Sequence, residues 1–298
     1  MTAPTQLSCS APAKINVALF VGAARELDGR HELVTVFQPV DLADTVSARL
    51  DPGLGVDTVH CPGVDGDNLA ATALAAYRAE TGWDGPPVFI EIEKRIPIAG
   101  GMAGGSADAA AALRIAATFA GDGDHERLER IAAALGADVP SQVQGRRMIG
   151  TGAGEVLRRS PSKPDWEAVI VPVDAALSAG AVYAEADRLN PPRDAAEMTH
   201  LRTAVQQAER AGGVERAGLV INDLQNAARS LCPAVDEALT RLRAEGAEHA
   251  IVSGSGPTVV GLFAPGDGDS AVLRIGADRP VWLALPEHRA TLERPRWP

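Results

Sequence analysis

The stretch PIAGGMAGGSADAAAAL, residues 97–113, joins a glycine-rich segment to an alanine-rich one. Its glycines permit positive φ angles and a close approach of the main chain to a ligand. The alanines favour a helix, which we expect to begin near Ser106, with Ser106 and Asp108 capping its first turn. Unpaired N–H groups and the helix dipole attract anions at such a helix end. The stretch therefore predicts a phosphate-binding loop, and the alternative is a tight turn packed against a neighbouring helix.

The residues before this stretch, VFIEIE at 88–93, alternate in the manner of a strand. Several phosphate-binding families share the order strand, glycine loop and helix, and the spacing excludes the most familiar of them. Gly105 is followed by Ser-Ala and not by the Lys and Ser/Thr pair of a Walker A loop. The segment Gly152-Ala153-Gly154 lacks the third glycine of the dinucleotide-binding fingerprint. Protein-kinase signatures such as Asp-Phe-Gly are absent from the sequence.

Composition limits the classes of function that the chain can have. Its 298 residues suit one large or two ordinary domains, and we expect two lobes. The net charge of −11 and the lack of a basic run argue against a nucleic-acid or membrane partner. Without a visible signal peptide or a run of ~20 apolar residues, we expect a cytoplasmic protein that acts on small molecules and has no obligate protein partner. The cysteines, at 9, 61 and 232, lack metal or disulfide spacing and fit a reducing compartment.

Two other segments, at 12–21 and 135–140, carry polar residues that are candidates for the site. Only three of the 28 basic residues are lysines, at 14, 94 and 163, and an ammonium in place of the usual guanidinium indicates a need for a compact charge. Lys14 and Asn16 fall on one face of the predicted strand at 12–21, which points either to solvent or to a cleft. Asp138 lies in LGADVP at 135–140, between a glycine and a proline, either as a carboxylate fixed on a rigid segment or as an ordinary turn residue.

The remaining pattern predicts a mixture of strands and helices. Two separate strands are expected at 33–38 and 44–50, with His31 at the edge of the first, where it could read a ligand or be structural. A linker near 160–164 precedes a second half with its own strands and helices. Helices are expected at about 68–81, 124–135, 178–189, 200–211, 222–231, 233–245 and 269–276, and further strands at 168–173, 251–263 around a glycine turn, and 281–285.

Three segments of the chain, at 12–19, 97–113 and 253–263, resemble in order and spacing the three motifs of the GHMP small-molecule kinases. The resemblance covers nearly the whole chain. It implies an α+β, two-lobed GHMP kinase fold, with a ribosomal-protein-S5-like N-terminal lobe at 1–160 and a ferredoxin-like C-terminal lobe at 161–298. The active site is expected between the lobes.

Four further segments resemble one branch of this superfamily. They are DGRHEL at 28–33, LGADVP at 135–140, GAGE at 152–155 and NDL at 222–224. Members of that branch use ATP to phosphorylate the 2-hydroxyl of 4-diphosphocytidyl-2-C-methyl-D-erythritol in the non-mevalonate isoprenoid precursor pathway. The resemblance therefore implies the same reaction for this chain.

The resemblance also assigns roles to individual residues. Lys14 and Asp138 match the catalytic pair, Asn16 and His31 match substrate-contacting positions, and Tyr183 matches an aromatic that stacks on the cytosine. Arg30 stands where that branch often has Tyr, so a guanidinium plane is expected on one face of the base. The ATP-phosphate loop comprises Pro97, Ile98, Ala99, Gly100, Gly101, Met102, Ala103, Gly104, Gly105, Ser106 and Ala107.

The chemistry of phosphoryl transfer agrees with these residue types. Asp138 would take the proton of the attacking hydroxyl, and Lys14 would keep Asp138 ionised and orient that hydroxyl. Mg²⁺ is expected to arrive with ATP, but the sequence identifies no protein ligand for it, and Ser106 is only a candidate. Asp108 is either such a ligand or a first-turn carboxylate that complements the helix dipole.

Two other functions stay open from the sequence. One is a different GHMP activity, such as phosphorylation of homoserine or mevalonate, or the related ATP-dependent decarboxylation. The DGRHEL segment and the pairing of Lys14 with Asp138 favour the cytidyl substrate. The second is a non-catalytic relative that senses a metabolite, against which the intact lysine, aspartate and glycine loop argue.

Overall fold

This computed structural model describes residues 4–64, 66–98, 100–277, 280–287 and 292–293. These residues form eleven strands and nine helices. The strands are β1 Gln6–Ala24, β2 His31–Leu50, β3 Thr58–His60, β4 Val88–Glu93, β5 Met148–Thr151, β6 Val156–Arg159, β7 Glu167–Val171, β8 His249–Val252, β9 Val259–Phe263, β10 Trp282–Ala284 and β11 Leu292–Glu293. The helices are α1 Leu69–Thr81, α2 Gly104–Ala120, α3 His125–Leu135, α4 Val139–Gln144, α5 Ala179–Leu189, α6 Ala195–Arg210, α7 Gln225–Leu231, α8 Pro233–Ala244 and α9 Gly268–Ile275.

The larger of the two sheets is built on a long antiparallel hairpin of β1 and β2. Its strand order is β11-β1-β2-β4-β3, and β5 pairs with β2 and carries β6 at its other side. Helix α2 packs on this sheet and against α1 and α4. The alanines at 109–112 are fully buried there, because methyl side chains let the helix lie close to its neighbours. The alanine-rich segment is thus the central core helix of this half of the protein.

The expectation of two separate strands at 33–38 and 44–50 is wrong, since both belong to the single strand β2. The intervening residues stay extended because β1 runs opposite them, with Lys14 facing Pro39 and Pro12 facing Ala43. A register shift between Pro12 and Lys14 lets the ladder pass the proline, which lacks an N–H group. One half of β2 then pairs with β5 and the other half with β4.

The smaller sheet has four antiparallel strands in the order β10-β7-β9-β8. Helices α8 and α9 pack on it, and together they bury a separate apolar cluster that includes Val169, Leu239 and Phe263. The predicted α+β class with two layered parts is confirmed. We propose residue 160 as the boundary between lobes, because residues 160–166 form no helix or strand and connect the two sheets. Helix α6, from the second half, nevertheless packs on β1, β2 and β5 of the first sheet.

Four of the nine described helices have a side-chain N-cap, namely α1, α3, α5 and α6, and α2 has none. Asn68 caps α1 and Asp124 caps α3, at the predicted starts of these helices. Helix α2 begins earlier than predicted, at Gly104, and neither Ser106 nor Asp108 makes a capping hydrogen bond. The residue before the helix, Ala103, adopts a left-handed conformation with φ 57°. The glycines allow the helix to start early, and the first-turn N–H groups are left without a side-chain partner.

Candidate active site

A cavity of about 660 Å³ lies where the glycine loop, strand β1, helix α5 and the turn between β8 and β9 meet. It contains most of the residues that the sequence singled out. Lys14, Asn16, Asp138 and Tyr183 line it, and the described residues of the glycine loop that line it are Pro97, Ile98, Gly100, Gly101, Met102, Ala103, Gly104, Gly105 and Ser106. Ala107 is buried in α2 behind them. Ala99, also predicted to bind ATP, lies outside the described residues.

The glycines of the loop serve two different purposes. A Cβ on Gly100 would lie 2.6 Å from Thr258 Oγ1, and one on Gly101 would lie 2.6 Å from the carbonyl oxygen of Ser253. These two positions therefore need glycine to pack against the turn between β8 and β9. Gly105, in contrast, has no atom within 4 Å of its Cβ position and faces open space at the start of α2. Gly100 and Gly101 therefore belong to a packed turn, while Gly105 leaves room for a ligand.

The turn that receives the loop is fixed by an asparagine from the NDL segment. The Nδ2 group of Asn222 donates to the carbonyls of Val252 (2.8 Å) and Gly254 (2.7 Å). Its Oδ1 accepts from the backbone N–H of Leu224 at 2.9 Å. Because Asn222 is buried, these bonds hold the wall opposite the glycine loop in one position.

Lys14 and Asp138 form an ion pair at the side of the cavity, with 3.4 Å between Nζ and Oδ2. The Lys14 ammonium also donates to Asn16 Oδ1 at 2.5 Å, and Asn16 Nδ2 donates to Thr35 Oγ1 at 2.9 Å. The lysine side chain is only 5% exposed, while that of Asp138 is 34% exposed. Thus β1 places Lys14 and Asn16 together, as the alternation predicts, and the accessible partner of the pair is the carboxylate.

The backbone around this pair explains its geometry. The N–H of Lys14 donates to the carbonyl of Met102 at 3.1 Å, which joins β1 directly to the glycine loop. Asp138 immediately precedes α4, whose second residue is Pro140. Its side chain makes no capping bond to that helix, so the carboxylate is available to the cavity. The glycine loop, lysine and aspartate are therefore held on adjoining rigid elements.

A second charged cluster, which sequence reasoning missed, lies beneath the start of α2. Lys94 Nζ is 2.5 Å from Asp44 Oδ2 and 2.7 Å from Asp108 Oδ2. Burial raises the pKa of Asp108 to about 7, although the Lys94 ammonium acts in the opposite direction. Burial would lower the pKa of Lys94, but the two carboxylates outweigh it and raise that pKa. Asp44 also accepts the N–H groups of Arg95 and Ile96, so the cluster anchors the entry to the glycine loop.

The rarity of lysine was the one signal that pointed toward this cluster, since two of the three lysines line the cavity. Asp108 is paired with Lys94 through one oxygen, and its other oxygen, Oδ1, is buried without a hydrogen-bond partner in the described chain. No group of three or more His, Cys, Asp or Glu side chains within the described residues is arranged to hold a metal ion. Ser106, on the cavity wall, is a further oxygen donor near the loop.

Tyr183 and His31 stack on each other at the far side of the cavity. Their ring centroids are 5.0 Å apart with an interplanar angle of 22°. His31 Nδ1 donates to the carbonyl of Gly22 at 2.8 Å, and Nε2 lies 3.4 Å from Asp187 Oδ2. Burial, followed by the negative charge of Asp138, raises the pKa of Tyr183 to about 12. His31 therefore supports the tyrosine ring from behind, and Tyr183 contributes the ring that lines the cavity.

Arg30 does not occupy the stacking position that its place in the sequence suggests. Its Nε donates to Asp28 Oδ2 at 2.8 Å, and its side chain is about half exposed. Asp28 is in turn bound by Arg25, which also pairs with Glu155 of the GAGE segment. The guanidinium is thus part of a charged network at the 25–30 loop, and among the described residues it is not in the cavity wall.

Comparison with known proteins gives the class of the chain first. The family model described as GHMP kinases N terminal domain matches residues 68–146, and the model described as GHMP kinases C terminal matches residues 204–278. The chain belongs to the GHMP kinase family, as the three motifs predict.

Individual relatives show which members of this family the chain is similar to. The 4-diphosphocytidyl-2-C-methyl-D-erythritol kinase of Thermobifida fusca (strain YX) is 45% identical over 281 residues, which cover 90% of each chain. The protein of the same name from Streptomyces avermitilis is 43% identical and covers 88% of this chain and 89% of its own. A crystal structure of 4-(cytidine 5'-diphospho)-2C-methyl-D-erythritol kinase superposes with a TM-score of 0.74 at 32% identity, over 93% of this chain and 98% of that one. Within the described part of this chain, no helix has the length and apolar character to span a membrane.

Proposed function

We propose that this chain is an ATP-dependent kinase that phosphorylates the 2-hydroxyl of 4-diphosphocytidyl-2-C-methyl-D-erythritol in the non-mevalonate isoprenoid precursor pathway. The observation that carries the proposal is the Lys14–Asp138 pair, 3.4 Å apart in the same cavity as the glycine loop. The names of relatives that match about nine-tenths of the chain support the choice of substrate.

In the proposed reaction, Asp138 accepts the proton of the substrate hydroxyl as its oxygen bonds to the γ-phosphorus of ATP. The bond from that phosphorus to the bridging oxygen of ADP breaks, and ADP leaves with the electron pair. The open face of Asp138 suits this role, because a base must reach the attacking hydroxyl. Lys14, held by Asn16, pairs with the carboxylate and offsets negative charge during transfer.

The glycine loop would hold the ATP phosphates. N–H groups at the start of α2 have no side-chain cap, and Gly105 leaves space above them. Both features favour a bound phosphate at that helix end. Mg²⁺ usually reaches a kinase with the nucleotide and keeps phosphate and water oxygens as ligands. The residues present fit this arrangement, with Ser106 as the candidate protein ligand. When bound, the ion would neutralise phosphate charge.

The cytidine end of the substrate would lie at the opposite side of the cavity. Tyr183 lines the cavity, and the His31 ring stacks on it with 5.0 Å between the ring centroids. A cytosine would therefore stack on the open face of Tyr183, with His31 as its support, and Asn16 would contact the substrate near the reacting hydroxyl. We place the enzyme in the cytoplasm, where small-molecule phosphoryl donors and reducing conditions suit its three free cysteines.

A panel of hydroxyl acceptors tests the choice of substrate. Steady-state transfer from ATP is measured with 4-diphosphocytidyl-methylerythritol, homoserine and mevalonate, and ATP-dependent decarboxylation is measured with mevalonate diphosphate. We expect kcat/KM for the cytidyl substrate to exceed the others by about 10⁴-fold, since polar recognition groups left unpaired penalise a wrong ligand. A higher value for any other acceptor would contradict the proposal, and the absence of transfer to every acceptor would favour a metabolite sensor.

A further inference from the structure

A second cavity, of about 750 Å³, lies between the β5–β6 hairpin, the segment that follows it and the end of α6. It shares no lining residue with the active-site cavity. Six basic residues line it and define what we call the basic pocket: Arg146, Arg147, Arg158, Arg159, Lys163 and Arg210. They come together only in the fold, because they lie on separate segments of the chain.

The charge of the basic pocket is unusual for this protein. Acidic residues outnumber basic ones by 39 to 28 in the chain, yet no carboxylate lines this cavity. Within the described chain, Arg147 is the one member that forms an ion pair, with Glu209 and Glu215. The other five form no ion pair with a described residue, and they line the same cavity. Like charges that line one cavity repel one another, and a bound anion would offset that repulsion.

The floor of the pocket is built from buried groups. Arg147 is 4% exposed, and its guanidinium is fixed by two carboxylates, so it cannot move away from the cavity. Ser162, also on the lining, is 8% exposed, and its Oγ has no hydrogen-bond partner among the described residues. Ser160 accepts the backbone N–H of Ser162 at 3.0 Å and holds this segment in place. The Oγ atom itself has almost no exposed surface and lies beside Gly213, so Ser162 contributes to the floor of the pocket and its hydroxyl is not expected to contact a ligand.

We propose that the basic pocket is a binding site for a small, multiply charged phosphate compound, such as a diphosphate or triphosphate. Its volume falls in the range of small-molecule sites. Arginines bind phosphate oxygens through paired N–H donors, and several uncompensated cations match the charge of two or three phosphates better than that of one. Nucleic acid is the less favoured occupant, because the protein is acidic and the basic residues form a local cavity instead of an extended stripe.

The test separates this site from the ATP site. Inorganic diphosphate is titrated into the enzyme by calorimetry after the active-site cavity has been filled with a non-hydrolysable ATP analogue. We expect saturable binding of one diphosphate per chain, weakened by added salt. The double variant Arg158→Ala/Arg159→Ala should bind at least about 10-fold more weakly, as expected when two charged phosphate contacts are lost. Arg130→Ala, at an exposed arginine of α3, is the matched control and should bind as the wild type does.

Further readouts keep the test decisive. Circular dichroism spectra and kcat should remain unchanged in the arginine double variant. Absence of saturable binding when the ATP analogue is present, or an equal Kd in the wild type and the double variant, would overturn the proposal. Tighter binding of a single-stranded oligonucleotide that the double variant abolishes would also overturn it, in favour of a nucleic-acid surface. None of these outcomes depends on which acceptor the kinase uses.

Discussion

Lys14 and Asp138 differ in their surroundings, and the difference gives each a role. The ammonium is enclosed by Asn16 and lies 5.7 Å from the centroid of the Phe37 ring, so its charge is fixed in place. The carboxylate keeps about a third of its surface open. A buried cation beside an accessible carboxylate suits a base that must meet a substrate hydroxyl.

Replacing this carboxylate should stop the chemistry while leaving nucleotide binding intact. For Asp138→Asn we expect kcat to fall by about 10²–10⁴-fold, because the amide keeps the shape of the side chain and cannot take the proton. The KM for ATP should change little, since the glycine loop is untouched. Steady-state kinetics with each substrate varied separately is the measurement. A wild-type kcat would identify Asp138 as an ordinary turn residue.

Tyr183 should act on substrate recognition and not on ATP. Tyr183→Ala removes the ring that we expect to stack on cytosine, which should cost roughly 1–3 kcal/mol of binding, by analogy with base stacking on aromatic side chains. His31→Ala should have a smaller effect in the same direction, because it removes the support behind that ring. The readout is the KM for the cytidyl substrate, with possible loss of kcat if the reacting hydroxyl is displaced.

Tyr183→Phe is the matched control for this pair, since it keeps the ring and removes only the hydroxyl. Its KM for the cytidyl substrate should stay near the wild-type value. If both alanine variants instead raised the KM for ATP alone, these rings would belong to the nucleotide-donor side of the cavity.

Sequence patterns predicted some of the side-chain contacts in the site and not others. Strand alternation correctly predicted that Lys14 and Asn16 lie together. The link between Lys94, Asp44 and Asp108 was not predictable in that way, because it joins the residue after β4 to β2 and α2. The partner that Arg30 has in this structure was not predicted either: a nearby carboxylate, Asp28, binds its guanidinium. Local periodicity reports the direction of a side chain, and partners distant in sequence decide what it binds.

The prediction that Ser106 and Asp108 cap helix α2 is wrong, and the difference concerns the end of the helix where we expect phosphate to bind. Ser106 is a good capping residue by type, yet the helix starts two residues earlier and leaves its first N–H groups without a side-chain partner. Asp108 turns instead to Lys94, at 2.7 Å. A helix end that lacks its cap is one that can accept an anion, so local preference fails where we expect the phosphate to bind.

The Asp108 carboxyl should make stability depend on pH. Its pKa is raised by burial to about 7 in the folded protein, so the folded state holds this proton over a range where the unfolded chain has lost it. The stability from this group is therefore complete below its ordinary pKa and is lost as the pH rises through about 7. Asp108→Asn mimics the neutral acid and escapes that loss. We expect the Tm of the variant, relative to wild type, to increase from about pH 5 to about pH 8.

Thermal unfolding of both proteins without ligand, at several pH values, checks this expectation. Asp122→Asn is a useful comparison, since backbone and side-chain hydrogen bonds lower the pKa of Asp122. That carboxyl is ionised in both the folded and the unfolded state from about pH 5 to about pH 8, so the Tm difference of this variant should stay constant over that range. A Tm difference for Asp108→Asn that is constant or falls with pH would show that the carboxyl stays ionised beside Lys94.

The ends of helices and strands were predictable where residues close to that end in the sequence determine them. Helices α1 and α3 begin within one residue of their predicted starts at 68 and 124. Helix α6 starts at Ala195, before the predicted 200, because Asp194 and Glu197 form a capping box that the periodicity did not reveal. Strand β2 was divided in two because the sequence around Pro39 resembles a break, whereas pairing with β1 carries the strand across it.

The two halves of the protein are joined by a buried ionic network. Arg147, just before β5, binds Glu209 of α6 and Glu215 beyond it, and Trp166 Nε1 donates to Glu215 Oε1 at 2.8 Å. Burial alone would raise the pKa of Glu209, but the Arg147 guanidinium holds that pKa below its usual value. These contacts connect the larger sheet to the segment that leads into the smaller one, and no sequence pattern indicates them.

Loss of the cation from this network should destabilise the protein strongly. For Arg147→Met we expect a decrease of about 3–5 kcal/mol in the free energy of unfolding, because two carboxylates lose the cation that compensates their charge. Urea denaturation is the measurement, with Arg130→Met as the control at an exposed position. Adding Glu209→Gln and Glu215→Gln to Arg147→Met should recover much of the loss. A decrease below about 1 kcal/mol would mean that solvent reaches these carboxylates.

The most direct test of the proposed reaction is the structure of its product. The 2-carbon of the erythritol unit carries a methyl group and no hydrogen, so a phosphate placed on its hydroxyl shows no coupling to a proton on the attached carbon. After incubation of the enzyme with ATP, Mg²⁺ and 4-diphosphocytidyl-methylerythritol, we predict a new phosphomonoester signal in the ³¹P NMR spectrum without such coupling, which Asp138→Asn fails to produce in the same time. A phosphomonoester signal split by protons on the attached carbon, or release of ADP with inorganic phosphate alone, would contradict the account.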